Sequence, residues 1–112
     1  MNITSGALLT DLYELTMAQA YLAQGMTDIA VFEFFVRKLP PQRNFFMAAG
    51  LEQVLSYLEA FQFSDADIAW LDQTGGFRPA SLNALRAMRF TGEVHAMPEG
   101  SLFFPHEPIL RI

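Results

Sequence analysis

A chain of 112 residues with 52% hydrophobic and 13% aromatic content has enough apolar material for one domain and its core, which excludes a disordered polypeptide. Twelve acidic residues against seven basic ones give a formal net charge of −5, so no basic field exists to track a nucleic acid backbone. With no cysteine, disulfides, thiol catalysis and cysteine-ligated zinc are excluded.

The amino-terminal residues lack the charged start and apolar run of a signal peptide, and no apolar run approaches the ~18 residues of a membrane span. A cytoplasmic protein with no membrane partner is expected. Met1 to Leu9 reads as an approach segment, with Ser5-Gly6 as its flexible turn. At Asp11 the pattern changes. Asp11 with Glu14 has the spacing of a capping box, which predicts a helix that starts there and runs to about Gln24. Gly25 suits the left-handed position just past its end. Leu12, Leu15, Gln19 and Leu22 fall on one stripe of that helix, whereas Tyr13, Met17 and Ala20 lie about a third of a turn away. Tyr13 is therefore not required by the core.

From Ile29 to Lys38 the residues are β-branched and aromatic, and alternation predicts a strand. One face carries Val31, Glu33, Phe35 and Arg37; the other, wholly apolar, carries Ala30, Phe32, Phe34 and Val36. Pro40-Pro41 ends it, because proline offers no N–H to a ladder. Phe45 to Ala49 fits either a strand or the entry to a helix. Leu51, Val54, Leu55, Leu58 and Phe61 then repeat at helical spacing. Ser64 with Asp67 is a second capping box, and Ile68 and Leu71 supply the apolar side of a short helix that Gly75-Gly76 ends. Pro79 suits the first position of a third amphipathic helix, with Leu82, Leu85 and Met88 or Arg89 on its stripe.

Beyond that helix the period shortens. Thr91-Gly92, Pro98-Glu99-Gly100 and the segment from Pro105 to Pro108 are turn signals separating three short strands, Glu93–Met97, Ser101–Phe104 and Ile109–Ile112. The last run meets no turn and no polar tail, so its apolar face and backbone edge are expected to continue into, or pair with, further sequence. The predicted class is α+β, a few amphipathic helices packed on a small antiparallel or mixed sheet. No internal repeat, low-complexity segment or interdomain linker is visible.

Several of these stretches, in order and nearly gap-free, carry a family resemblance. They are the run from Leu9 to Met17, the run from Phe32 to Pro40, Ala48-Ala49-Gly50-Leu51-Glu52, the run from Arg89 to Val94, and Pro98-Glu99-Gly100. Together they resemble the amino-terminal part of the nicotinate phosphoribosyltransferases, type II phosphoribosyltransferases whose substrates bind in a barrel that follows this segment. A (β/α)₈ barrel needs roughly 200 residues or more, so it is absent from this chain. The resemblance implies an enzyme that joins nicotinate to phosphoribosyl diphosphate, with magnesium on the diphosphate and ATP hydrolysis coupled to the step. Its product is nicotinate mononucleotide. It also implies a homo-oligomer, or association with a barrel domain.

Three residues carry chemistry in this reading. Spacing alone makes Tyr13 a packing residue, but the resemblance makes it the tyrosine that covers the substrate base from a neighbouring subunit. Asp11 is an N-cap by position; by resemblance it is also a candidate to orient the base or an arginine. Arg37 is either half of a surface pair with Glu33 or an anion-facing fork of N–H donors at a strand end. The resemblance places a basic residue there near the phosphoribosyl site, with Arg43 as a weaker second candidate. His95 and His106 lack metal-ligand spacing, and no P-loop or nucleophile elbow is present.

Two readings compete. In one the chain is a non-catalytic binding or carrier-like module, as the rhythm of its carboxy-terminal turns suggests. A carrier needs a lysine at a hairpin tip, and Lys38, the sole lysine, ends a phenylalanine-rich strand instead. In the other it is a truncated or regulatory relative that associates with a full-length enzyme, or a fragment of one chain. The enzyme reading predicts no turnover by this chain alone, and all three readings predict an exposed apolar surface where the barrel packs, which drives dimerisation or aggregation.

Overall fold

In the computed structural model, which describes residues 6–112, helix α1 spans Leu12–Ala23. The expected turn at Ser5-Gly6 falls partly outside the described residues; within them the Leu9 N–H donates to the Gly6 carbonyl at 2.8 Å. Gly25, at φ 64°, closes α1 as predicted. The Gly25 N–H donates to the Leu22 carbonyl at 3.2 Å and the Met26 N–H to the Tyr21 carbonyl at 3.0 Å, the paired bonds of a Schellman end. Helix α2 spans Leu51–Glu59, α3 Asp65–Thr74 and α4 Pro79–Ala87. No helix among the described residues is long and apolar enough to cross a membrane.

The chain divides into two compact units. The first takes the described residues up to Asp28 together with Ser56–Phe90; the second takes Ile29–Leu55 and Thr91–Ile112. In the first, Ala7, Leu15, Phe63, Ile68, Leu71, Leu82 and Leu85 form one buried cluster, with Leu8, Phe61, Phe77 and Met88 packed on it. Leu82 and Leu85 face inward as their spacing predicts, and the position shared between Met88 and Arg89 goes to Met88. Both bonds of the Ser64–Asp67 capping box are present. The Ser64 N–H donates to the Asp67 carboxylate at 2.8 Å, and the Asp67 N–H to the Ser64 hydroxyl at 3.1 Å. Tyr57, Phe61 and Phe63 make successive edge-to-face contacts with centroids 5.8 and 5.7 Å apart.

The second unit is built from short strands: β1 (Glu33–Phe34), β2 (Phe46–Met47), β3 (His95–Ala96), β4 (Leu102–Phe103) and β5 (Leu110–Arg111). The segment from Phe45 to Ala49 thus contains a strand. All pairings are antiparallel, β1-β5-β3 in one sheet and β2-β4 in the other. The long strand predicted from Ile29 to Lys38 is regular only at Glu33–Phe34, but its ladder reaches further. Phe32 and Ile112 exchange two bonds of 2.9 Å, the Ile109 N–H donates to the Phe34 carbonyl at 2.8 Å, and the His106 N–H to the Val36 carbonyl at 2.8 Å. Pro108 cannot donate, which breaks the regular ladder between the last two of these rungs.

The expectation for the last strand is overturned. β5 does not offer a free edge, because it is the central strand, with β1 on one side and β3 on the other. The terminal run Ile109–Ile112 reads as an edge only because its partners lie far away in sequence. The apolar face of the Ile29–Lys38 segment is present but uncovered, with Phe32 and Phe34 both exposed. In α2 the apolar stripe is also only partly covered: none of its residues is buried.

Candidate functional site

The backbone of Asp11 takes the N-cap conformation of α1 at φ −80° and ψ 145°, but its carboxylate makes no capping bond. The capping box expected from Asp11 and Glu14 does not form. The physical reason lies in the first turn. The Glu14 N–H, which an Asp11 side chain would have to accept, donates to the Asp11 carbonyl at 3.1 Å, and the Glu14 carboxylate accepts from the Thr10 hydroxyl one turn earlier. The Asp11 carboxylate is exposed and, among the described residues, makes no hydrogen bond, beside a helix start that favours negative charge.

Tyr13 follows in the same turn and is 59% exposed. Leu15 on the opposite side is the only buried residue of α1. The Thr16 hydroxyl donates to the Tyr13 carbonyl at 3.0 Å, an ordinary contact within a helix turn. The ring thus stands clear of the core at the amino-terminal end of α1, with the Asp11 carboxylate two residues before it. An exposed aromatic face of this kind suits stacking with a flat heteroaromatic ring.

Arg37 belongs to the other unit, so the three predicted residues divide between Asp11 with Tyr13 and Arg37 by itself. The bond between His106 N–H and the Val36 carbonyl is the last rung beside β1, and at Arg37 the chain bends away. The expected pair with Glu33 is not made. Among the described residues, basic and acidic side chains meet at Arg86–Asp65 and His95–Glu93, each at 3.4 Å. Arg37 is exposed and in neither. Its N–H fork is available to an anionic ligand. Glu33 instead lies opposite Arg111, which in turn lies opposite His95, in a polar row across the three-stranded sheet.

Two polar residues hold the units internally, and local spacing does not reveal either. The Glu99 carboxylate accepts from the Gly50 N–H at 2.7 Å and the Leu51 N–H at 3.1 Å, capping α2 from a turn 48 to 49 residues away. Gln19, placed by its spacing on an apolar stripe, bonds the connection between α3 and α4. The only advance signal for Glu99 is its place in the Pro98-Glu99-Gly100 stretch. An apolar cleft beside it is lined by Phe34, Ala48, Leu51, Val54, Met97 and Ile109, but its carboxylate is already engaged by the helix start. His106 is exposed, its backbone at φ 66° and its ring 5.9 Å from that of Phe35. Among the described residues no three histidine or acidic side chains gather as metal ligands.

Comparison with known proteins gives a consistent result. The sequence pattern of the nicotinate phosphoribosyltransferase N-terminal domain matches residues 8–112. The chain is 53% identical over 107 residues to the nicotinate phosphoribosyltransferase pncB2 of Mycobacterium tuberculosis, covering 96% of this chain and 23% of that protein. It is 40% identical over 107 residues to the Bacillus subtilis nicotinate phosphoribosyltransferase, covering 95% and 22%. The crystal structure of human nicotinic acid phosphoribosyltransferase superposes with a TM-score of 0.78 at 42% identity, over 91% of this chain and 21% of that one. The chain therefore spans less than a quarter of the length of these relatives.

Proposed function

The chain belongs to the nicotinate phosphoribosyltransferase family, matching its N-terminal domain, and we propose that it presents Tyr13 and Arg37 to the substrates of an enzyme completed by further sequence. The complete enzyme joins nicotinate to the sugar carbon of phosphoribosyl diphosphate and releases diphosphate, with ATP hydrolysis coupled to the step. Nicotinate mononucleotide is the product. Positive charge develops at the sugar carbon as diphosphate departs, so positioning and neutralisation of the departing oxygens carry the catalysis. In this reaction the Tyr13 ring stacks on the pyridine. Arg37 holds phosphate or diphosphate oxygens through its N–H fork. Asp11 orients the base or a neighbouring arginine.

The observation that carries the reading is the exposed Tyr13 ring at the start of α1, within a family match that spans residues 8–112. ATP and magnesium serve the reaction. Among the described residues no three histidine or acidic side chains gather, and no residue of this chain is assigned to the metal. The proposal extends to a cytoplasmic homo-oligomer in which Tyr13 reaches the site of a neighbouring subunit.

Steady-state kinetics of the full-length enzyme test the reading. Replacing Tyr13→Ala is expected to raise the nicotinate KM about tenfold, while Tyr13→Phe, which keeps the ring, stays within about twofold. Arg37→Ala is expected to raise the phosphoribosyl diphosphate KM about 10- to 100-fold, and Arg37→Lys to recover only part of it. Unchanged KM values in both alanine variants would overturn the assignment. The 112-residue chain alone is expected to show no turnover; nicotinate mononucleotide formed by it in pure form would overturn the division of labour.

A further inference from the structure

We infer that Gln19 is a positioning residue for Tyr13, its carboxamide setting how α1 sits on the connection between α3 and α4 and hence where the tyrosine ring leaves the helix. The inference rests on the substrate role proposed for Tyr13. Of the twelve residues of α1, only Leu15 is buried. One buried leucine holds a helix against a core but leaves it free to roll and slide. Gln19 lies one turn further along the same face. Its Nε2 donates to the Gly76 carbonyl at 2.9 Å and its Oε1 accepts the Arg78 N–H at 2.7 Å. Two bonds from one planar group restrain both rotation and translation.

The other side of the contact depends on it as well. Gly75 and Gly76 turn the chain at φ 83° and 87°, a backbone that side chains rarely allow, and this exposes the Gly76 carbonyl to α1. Arg78 holds the N-cap of α4 without a side-chain capping bond, and its own N–H is taken by Gln19. Phe77 between them packs on the buried cluster, which anchors the connection to which α1 is tied.

Six residues separate Gln19 from Tyr13, so the two side chains point about 120° apart around the helix. A roll of about 20° would carry a ring about 6 Å from the axis through about 2 Å. Displacements of that size are enough to lose a stacking geometry.

Gln19→Met in the full-length enzyme keeps the length of the side chain and makes neither bond. It is expected to raise the nicotinate KM about tenfold while kcat changes by less than about threefold. In the Tyr13→Ala background the same change is expected to add less than about twofold, because the group it positions is gone. Hydrogen exchange of the α1 amides is expected to speed up about tenfold. A Gln19→Met effect that persists in full in the Tyr13→Ala background overturns the inference, as does a variant with wild-type KM and wild-type α1 exchange. If Tyr13→Ala itself leaves the KM unchanged while Gln19→Met speeds α1 exchange, the tether stands and the substrate role of Tyr13 is what falls.

Discussion

The two units of this chain spend their hydrophobic residues differently. In the helical unit seven apolar residues close into one cluster, with Leu71 wholly buried. In the β unit the buried apolar residues among those described are Ala48 and Phe103, while Phe32, Phe34, Phe45, Met47 and Phe104 are exposed. Helices bury a stripe by packing on one another, and a side chain from each of α3 and α4 suffices to begin a core. Two-residue strands satisfy backbone hydrogen bonds but present their faces outward until another layer covers them. The helical unit closes a core, although Leu9, Leu12, Met26 and Trp70 stand exposed on it, whereas the β unit leaves most of its phenylalanines outward. Exposed apolar side chains of this kind are what a covering layer would bury.

Substitutions in the two units should break or sharpen this contrast. The largest effect is expected from Leu71→Ala, which opens a cavity in the helical cluster and should cost about 3–5 kcal/mol in chemical denaturation. Phe34→Ala, removing a larger side chain from the exposed sheet, should cost less than about 1 kcal/mol. Equal losses would show that the β unit has a core of its own. Next in size is Glu99→Ala, which strips two charge-assisted bonds from the start of α2 and should cost about 2 kcal/mol, with Glu99→Gln retaining roughly half.

The smaller effects compare two helix starts that look alike in sequence. Ser64→Ala removes a formed capping box and should lower stability by about 1 kcal/mol. Asp11→Ala should stay within about 0.5 kcal/mol, because no capping bond is lost. A loss at Asp11 matching that at Ser64 would mean that its carboxylate caps α1 in solution.

Most helices and turns were legible because their signals are local. The Ser64–Asp67 box, Pro79 at the start of α4 and Gly25 past the end of α1 each act within three or four residues, and each stands where its residue type predicts. Of the candidate site, helical spacing put Tyr13 off the Leu15 stripe, where the core did not require it, and its ring is exposed. The free carboxylate of Asp11 did not follow. Its motif admits more than one hydrogen-bond arrangement, and here the Glu14 carboxylate accepts from the Thr10 hydroxyl instead.

What the sequence by itself determined is most of the elements, their order and the family, with Phe45 to Ala49 left open between strand and helix, since periodicity, caps and ordered motifs are properties of neighbouring residues. Tertiary structure alone decided that β5 is central, that Glu99 caps α2 and that Gln19 holds the connection between α3 and α4. The Glu99 and Gln19 bonds join residues 48 to 59 positions apart, and an unmet backbone group accepts any suitable partner that the fold brings within reach.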